Sequence, residues 1–305
     1  MKQIQRLVQQ KYWLLFLACL CASQTALADR VVHREKSLYR NIVVTDSSDR
    51  RCLAFSVKRQ KRNQTCMNPE KPDQVVFPYV RMSFAGLLAN PEPRHAMMIG
   101  LGGGTISNVL TALYPNLTID LVEIDEAVVK VARDYFDFRE SAQTNVIVQD
   151  GRVFTRRAKM QGKKYDMIIL DAYTGDYIPE HLMTREFLQD IHDLLTPDGV
   201  VIANTFAISR LYDHESQTYA SVFGEFINFK MPGTGNRVVI AARESLPANS
   251  VLRDNADRLG PRLLEPYDVD LVRYLSYLDR EADWDTSKAP LTDQYSPANL
   301  LRDND

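Results

Sequence analysis

Three acidic residues, each closing or following a short apolar run, carry the chemistry of this sequence. Glu123 lies near the end of Thr118–Ile124, Asp150 follows Asn145–Gln149, and Asp171 follows Met167–Leu170. A fourth apolar run, Ala96–Ile99, ends in Gly100, Gly102, Gly103 and Gly104. Runs of this length read as buried strands. A glycine turn lets the backbone approach a ligand, and a carboxylate at the end of the next strand can accept both hydroxyls of a ribose. Glu123 stands 19 positions past Gly104, which is the spacing a nucleoside site needs. A glycine turn alone joins a strand to a helix for purely structural reasons. The acid on the following strand is what makes this one a nucleoside site.

Positioning these groups requires a sheet. Between the glycines and Glu123, Thr105 to Tyr114 reads as a helix and Pro115-Asn116 as its turn, so Ala96 to Asp125 forms a βαβ unit. Val128, Val131, Ala132 and Tyr135 share one helical face, Arg152–Met160 reads as a helix, and Thr184–Leu195 reads as a helix capped by Thr184. The strand Val200–Asn204 follows Asp198-Gly199. Alternating strands and helices imply a parallel sheet covered on both faces, with ligands beyond the carboxyl ends of the strands. Gly102, Glu123, Asp150 and Asp171 all fall at such ends.

Upstream the pattern is β-like: Tyr39–Thr45 and Cys52–Val57 read as strands, Lys58–Asp73 as an exposed loop, and Tyr79–Leu88 as a helix. Downstream, Phe226–Phe229 and Arg237–Ala241 read as an antiparallel pair. Val251–Leu259 reads as a helix stopped by Gly260-Pro261, and Asp268–Leu278 as another helix. Pro290–Tyr295 is a late loop with the residue types to reach the site.

The 305 residues are 45% hydrophobic and 25% charged, too apolar for disorder, and a formal charge of −2 gives no electrostatic case for nucleic acid. Lys2, Arg6 and Lys11 precede the apolar run Trp13–Ala22 and the ending Ala26-Leu27-Ala28, the form of a secretory signal cleaved after Ala28. Membrane contact is expected only through that segment, and the destination is the periplasm or the exterior. Cys52 and Cys66 then remain, an even pair that in an exported chain predicts a disulfide. The five histidines lack ligand spacing, so no metal is expected.

Together these residues resemble the spermidine synthase (polyamine aminopropyltransferase) family, over about Ser37 to Ala242. SLYRNIVV at 37–44 is similar to its first strand, and Phe77, Tyr79 and Met82 to its F-x-Y-x-E-M element. Gly102–Gly104 match its glycine motif, VEID at 122–125 its ribose segment, Asp150-Gly151 its pair near adenine, and Asp171 the first acid of its D-S-S-D segment. The ending LTDQYSPANLL at 291–301 is similar to that of a bacterial branch. The resemblance implies a small N-terminal β domain (29–78) and a Rossmann-like class I methyltransferase fold (79–305) with a doubly wound, mostly parallel sheet. It implies decarboxylated S-adenosylmethionine as donor and a small polyamine-like amine as acceptor, with a homodimer left open. The attacking amine must be neutral although free amines are protonated at pH 7. Asp171 is therefore the expected general base, with Tyr79, Tyr173 and Asp176 orienting the amine.

Four positions depart from the pattern. Thr105 stands where the glycine motif ends in Asp, Arg40 replaces a first-strand Gln, Thr174 replaces the second active-site Asp, and Arg81 replaces the Glu of F-x-Y-x-E-M. Thr105 and Arg40 tilt the expected pocket towards a donor that keeps its carboxylate, S-adenosylmethionine itself. A methyltransferase is thus one alternative, and a non-catalytic exported nucleoside-binding module is another.

Overall fold

A computed structural model describes residues 29–57, 60–173 and 177–295. The expected signal segment (1–28) and the site residue Asp176 lie outside the described residues. Four antiparallel strands come first: β1 (Arg30–Lys36), β2 (Asn41–Asp46), β3 (Arg51–Val57) and β4 (Gln60–Met67), hydrogen-bonded in that order. The short helices α1 (Pro78–Ser83) and α2 (Gly86–Ala89) lead into β5 (His95–Ile99), α3 (Thr105–Leu113), β6 (Thr118–Glu123) and α4 (Glu126–Tyr135). Then follow β7 (Thr144–Val148), α5 (Gly151–Met160), β8 (Tyr165–Leu170), α6 (Arg185–Leu194), β9 (Leu195–Phe206) and α7 (Tyr212–Phe223). The chain continues through β10 (Phe226–Lys230), β11 (Asn236–Ala242), α8 (Asn249–Tyr267), α9 (Leu271–Tyr274) and β12 (Leu278–Asp279).

The large sheet has the order β12-β10-β11-β9-β8-β5-β6-β7. The run from β9 to β7 is parallel, and β10, β11 and β12 are antiparallel. From β5 the chain first builds outward through β6 and β7, then returns to the other side of β5 with β8 and β9. The order therefore reverses between β5 and β8, where sheets of this kind open a crevice for ligands. Successive strand residues face opposite layers. Met98 and Ile169 pack with Ile106 and Leu110 of α3 and Leu252 and Leu259 of α8, while Met97 and Ile168 pack with Phe154 of α5 and Phe187 and Ile191 of α6. Each such side chain removed from water contributes about 1.5–3 kcal/mol, which is what holds the strand ends in place.

The small sheet packs on α4 through Ile42, Val44, Leu53 and Phe55 against Val128, Val131 and Phe136. β4 occupies part of the stretch expected as an exposed loop. Its sequence, QKRNQTCM, is polar, but an edge strand needs only one paired side, and its backbone pairs with β3 from Met67 to Gln60. Cys52 and Cys66 are buried and directly opposed across that pair, their sulfurs at bonding distance and their Cα atoms 4.1 Å apart.

Two further expectations are corrected. Gly260-Pro261 does not stop α8, which runs on through Pro261 and Pro266 to Tyr267. One face of the helix buries Leu252, Ala256, Leu259 and Leu263, and this packing outweighs the roughly 3 kcal/mol that an interior proline costs. The stop is Asp268, in the left-handed conformation at φ +59°. Asp268–Leu278, expected as one helix, holds only the single turn of α9, a 3-10 turn and the first residue of β12.

Candidate functional site

The turn after β5 works residue by residue. Gly102 has φ +55°, and a methyl group placed on it would meet no atom within 4 Å. It faces the open pocket. Gly104 has φ +78°, and its methyl would lie 2.4 Å from the Phe138 ring, so it is glycine because protein, not ligand, occupies that side. Gly103 is likewise packed, against Thr65 of β4, and Thr105 is the first residue of α3. None of Gly103, Gly104 and Thr105 lines the pocket.

The other predicted residues do meet. Arg40, Tyr79, Gly100, Gly102, Glu123, Asp150, Gly151, Asp171 and Tyr173 line one pocket of about 920 Å³, continuous with solvent, at the strand ends. Glu123 is buried and held by the turn itself. Leu101 N–H donates to its Oε2 (3.0 Å) and Asp125 N–H to its Oε1 (3.1 Å). Burial raises its pKa, against the two N–H groups and the charge of Arg40. Asp171 follows β8, and its own N–H donates to Ile99 O across to β5 (2.9 Å). Asn204 Nδ2 donates to Asp171 Oδ1 (2.8 Å). Burial pushes the Asp171 carboxyl up to about 7, with the Asn204 bond opposing and the nearby Glu123 charge adding to the rise. Tyr79 donates to Gln64 O (3.2 Å), and burial, then the charge of Asp171, raises its pKa.

Asp150 caps α5, accepting from Val153 N–H (3.0 Å), and its second oxygen meets His181 Nε2 at 3.0 Å. Two polar atoms in this wall, Gln149 Oε1 and Tyr173 Oη, are buried without a hydrogen-bond partner among the described residues. Buried polar atoms are normally paired, so these two are the atoms a bound ligand would satisfy.

Arg40 is the most informative departure. Its Nη1 donates to Tyr173 O (3.1 Å), its Nε lies 3.7 Å from Asp125 Oδ2, and its guanidinium stacks 4.2 Å over the Phe55 ring. It ties the small sheet to the strand-end loops, and its charge is already engaged. Arg81 points elsewhere, paired with Asp268 and donating to Val76 O. The late loop does not reach the site either. Leu291 is buried, and Asp293 pairs with Arg152 and accepts from Thr184 (2.8 Å).

Sequence reasoning missed Tyr39, Phe55, Gln149 and His181 in the wall, and Asn204 behind Asp171. Asn204 and Gln149 had a signal, since each ends a strand-like run, Val200–Asn204 and Asn145–Gln149. Among the described residues no group of three or more His, Cys, Asp or Glu is placed to hold a metal, and no helix is long and apolar enough to cross a membrane.

A parallel sheet with a glycine turn and acids gathered at the reversal of strand order defines an α/β nucleoside-binding enzyme of Rossmann-like architecture. The Spermine/spermidine synthase domain family matches residues 80–231. The chain is 48% identical over 293 residues to the polyamine aminopropyltransferase of Vibrio vulnificus, covering 94% of this chain and 98% of that protein. This chain belongs to the spermidine synthase (polyamine aminopropyltransferase) family of transferases. Solved structures agree on the fold. A probable spermidine synthase from Corynebacterium glutamicum superposes with a TM-score of 0.64 at 19% identity, over 85% of this chain and 99% of that one. A spermidine synthase in complex with the transition-state analogue AdoDATO gives 0.58 at 21%, over 81% and 85%.

Proposed function

We propose that the protein moves an aminopropyl group from decarboxylated S-adenosylmethionine to a small amine, and that it does so outside the cytoplasm. The observation that carries this reading is Asp171, half-buried in the same wall as Glu123, with one carboxyl oxygen bonded to Asn204. In the reaction the amine nitrogen forms a bond to the propyl carbon, the carbon–sulfur bond breaks, and its electron pair leaves with methylthioadenosine. The proton released from nitrogen passes to Asp171. Glu123 takes the ribose hydroxyls, and Gly100 and Gly102 let the donor approach the turn. Asp150 and Gly151 border the base, where Gln149 Oε1 is an acceptor suited to an exocyclic amino group. Tyr79, Tyr173 and Asp176 orient the acceptor, while Gly103, Gly104 and Thr105 shape the turn from behind.

The choice of donor follows from charge. Arg40 is the lysine or arginine among the described wall residues, and it is engaged by Asp125 and the Tyr173 carbonyl. A donor that kept its carboxylate would enter a wall whose acids are Glu123, Asp150 and Asp171, with no unengaged cation among those residues to receive it. The decarboxylated donor, ending in an ammonium, suits that wall. Calorimetry on the mature chain tests both points. Methylthioadenosine is expected to bind, more tightly than S-adenosylhomocysteine, and Glu123→Ala to weaken it by about tenfold or more. Preference for S-adenosylhomocysteine would instead establish a methyltransferase. Binding of methylthioadenosine without turnover of any amine would leave a binding module.

Residues 1–28 are proposed as a cleaved signal and Cys52–Cys66 as its disulfide-forming counterpart in an oxidising compartment. The buried, in-register placement of the two cysteines supports that reading. The chain then divides into 29–78 and 79–305.

A further inference from the structure

Asp171 has two carboxyl oxygens, and a base must offer a particular one to the amine. Behind it runs a line of hydrogen bonds through β9 and β11. Asn204, at 4% exposure on β9, donates its Nδ2 to Asp171 Oδ1 at 2.8 Å. Its own Oδ1 accepts from Asn236 Nδ2 on β11 at 3.0 Å. Asn236 Oδ1 in turn accepts from Thr234 Oγ1 at 3.3 Å, in the turn before β11. The line has one direction, set at Asp171: an ionised carboxylate only accepts, so Asn204 gives it Nδ2 and turns its oxygen to Asn236. Thr234 Oγ1, accepting the Asn236 backbone N–H at 3.1 Å, gives its hydroxyl proton to Asn236 Oδ1. Each amide is thereby turned with its NH2 towards Asp171. An amide facing the other way would present oxygen to a carboxylate and repel it.

We propose that Asn204, oriented by Asn236 and Thr234, is a positioning residue that commits Asp171 Oδ1 to the protein and leaves Oδ2 to take the acceptor's proton. This rests on Asp171 being the base. The relay also supports the charged form of Asp171, because its donor bond is lost in value when the carboxyl is protonated. The titratable and charged groups around Asp171 are Glu123 at the end of β6, Tyr79 on α1, and Tyr173 on its own loop, with Arg40 reaching the Tyr173 carbonyl. Glu123 opposes ionisation of Asp171, so the line through Asn204 is the protein's counterweight.

The test is the pH profile of methylthioadenosine release with 1,4-diaminobutane as probe amine. Asn236→Asp removes the amide donor, invites the Asn204 amide to turn round, and adds a negative charge. The acid limb is expected to move up by about one pH unit, a roughly fivefold loss at pH 7 that approaches tenfold on the acid side. Thr234→Val, in a half-exposed turn, is expected to move it up by roughly half as much, and Thr234→Ser, which keeps the hydroxyl, to hold it at the wild-type position. Methylthioadenosine affinity is expected within about twofold of wild type in all three, since none touches the nucleoside wall. An unmoved limb in Asn236→Asp with that affinity intact overturns the proposal. Should Asn236→Asp fail to fold, the Thr234→Val and Thr234→Ser pair decides alone: separated limbs support the relay, coincident limbs reject it. Asp171→Asn separates the layers. Turnover retained in that variant removes the base assignment and the relay together, whereas turnover lost with unmoved limbs removes the relay only.

Discussion

Removing the Asp171 charge gives the sharpest test of the site, because the size of the effect can be worked out. An alkylamine holds its proton with a pKa of about 10.4, and an ordinary aspartate is a weaker base by roughly 6.5 units, or about 9 kcal/mol of uphill transfer. Burial lifts Asp171 to about 7. The gap falls to roughly half, about 5 kcal/mol, and closes further as the carbon–nitrogen bond forms and the nitrogen becomes more acidic. Asp171→Asn keeps the shape and removes the acceptor for the proton, so kcat/KM is expected to fall by about 10²–10⁴. With neutral amine held constant at each pH, wild-type kcat/KM is expected to rise through an acid limb centred near 7, where Asp171 loses its proton. Stability should run the opposite way. A carboxyl raised above its unfolded value stabilises fully below about pH 4. That contribution is lost as pH climbs through 7, so Asp171→Asn gains stability over wild type between pH 5 and 8, by at most about 4 kcal/mol. Thermal melts at the two pH values measure this. A flat rate profile from pH 5.5 to 8, or more than about a tenth of activity left in Asp171→Asn, would refute the assignment.

Three further outcomes are expected. Gly104→Ala, with its methyl driven into Phe138 at positive φ, should cost about 2–3 kcal/mol in a denaturant melt, whereas Gly102→Ala, at positive φ but meeting no atom, should cost about 1 and also weaken methylthioadenosine. Reducing Cys52–Cys66, which joins positions 14 apart in sequence, should lower stability by about 2–3 kcal/mol, read as a melting shift with and without reductant. Arg40→Ala should lower the melting temperature while leaving methylthioadenosine preferred over S-adenosylhomocysteine; a reversal of preference would mean that Arg40 reads the donor.

The centre of the parallel core was legible because Ala96–Ile99 and Met167–Leu170 are continuous apolar runs stopped by Gly100 and Asp171, as burial on both faces requires. β1 and β4 were not. RVVHREK and QKRNQTCM lie at the two edges of a sheet where one side of each strand is unpaired, and pairing with β2 and β3 makes them strands despite their polarity. α8 hid behind Gly260-Pro261 because a local stop signal cannot see the core that the helix covers. Within the site, residues tied to a strand end were legible by position. His181 was not, since nothing in its own neighbourhood announces that Asp150 comes to meet it.

Arg40 shows why residue type alone misleads about charge. A cation gained at the first strand looked like a receptor for a donor carboxylate, yet a guanidinium attracts a ligand only if its own partners leave it unsatisfied. Ser37 Oγ donates to Asp125 Oδ2 at 2.6 Å, and Asp125 also caps α4 by accepting from Ala127 N–H at 3.1 Å, so that carboxylate is fixed before Arg40 arrives. Arg40 completes the knot, and its remaining reach goes to the Tyr173 carbonyl, on the loop that carries Asp171. The positive charge therefore serves to hold the loop that carries Asp171 against the small sheet. What the pocket offers a ligand is set by Glu123, Asp150 and Asp171, and a substrate pair of sulfonium and amine, cationic at both ends, is the chemistry those three acids fit.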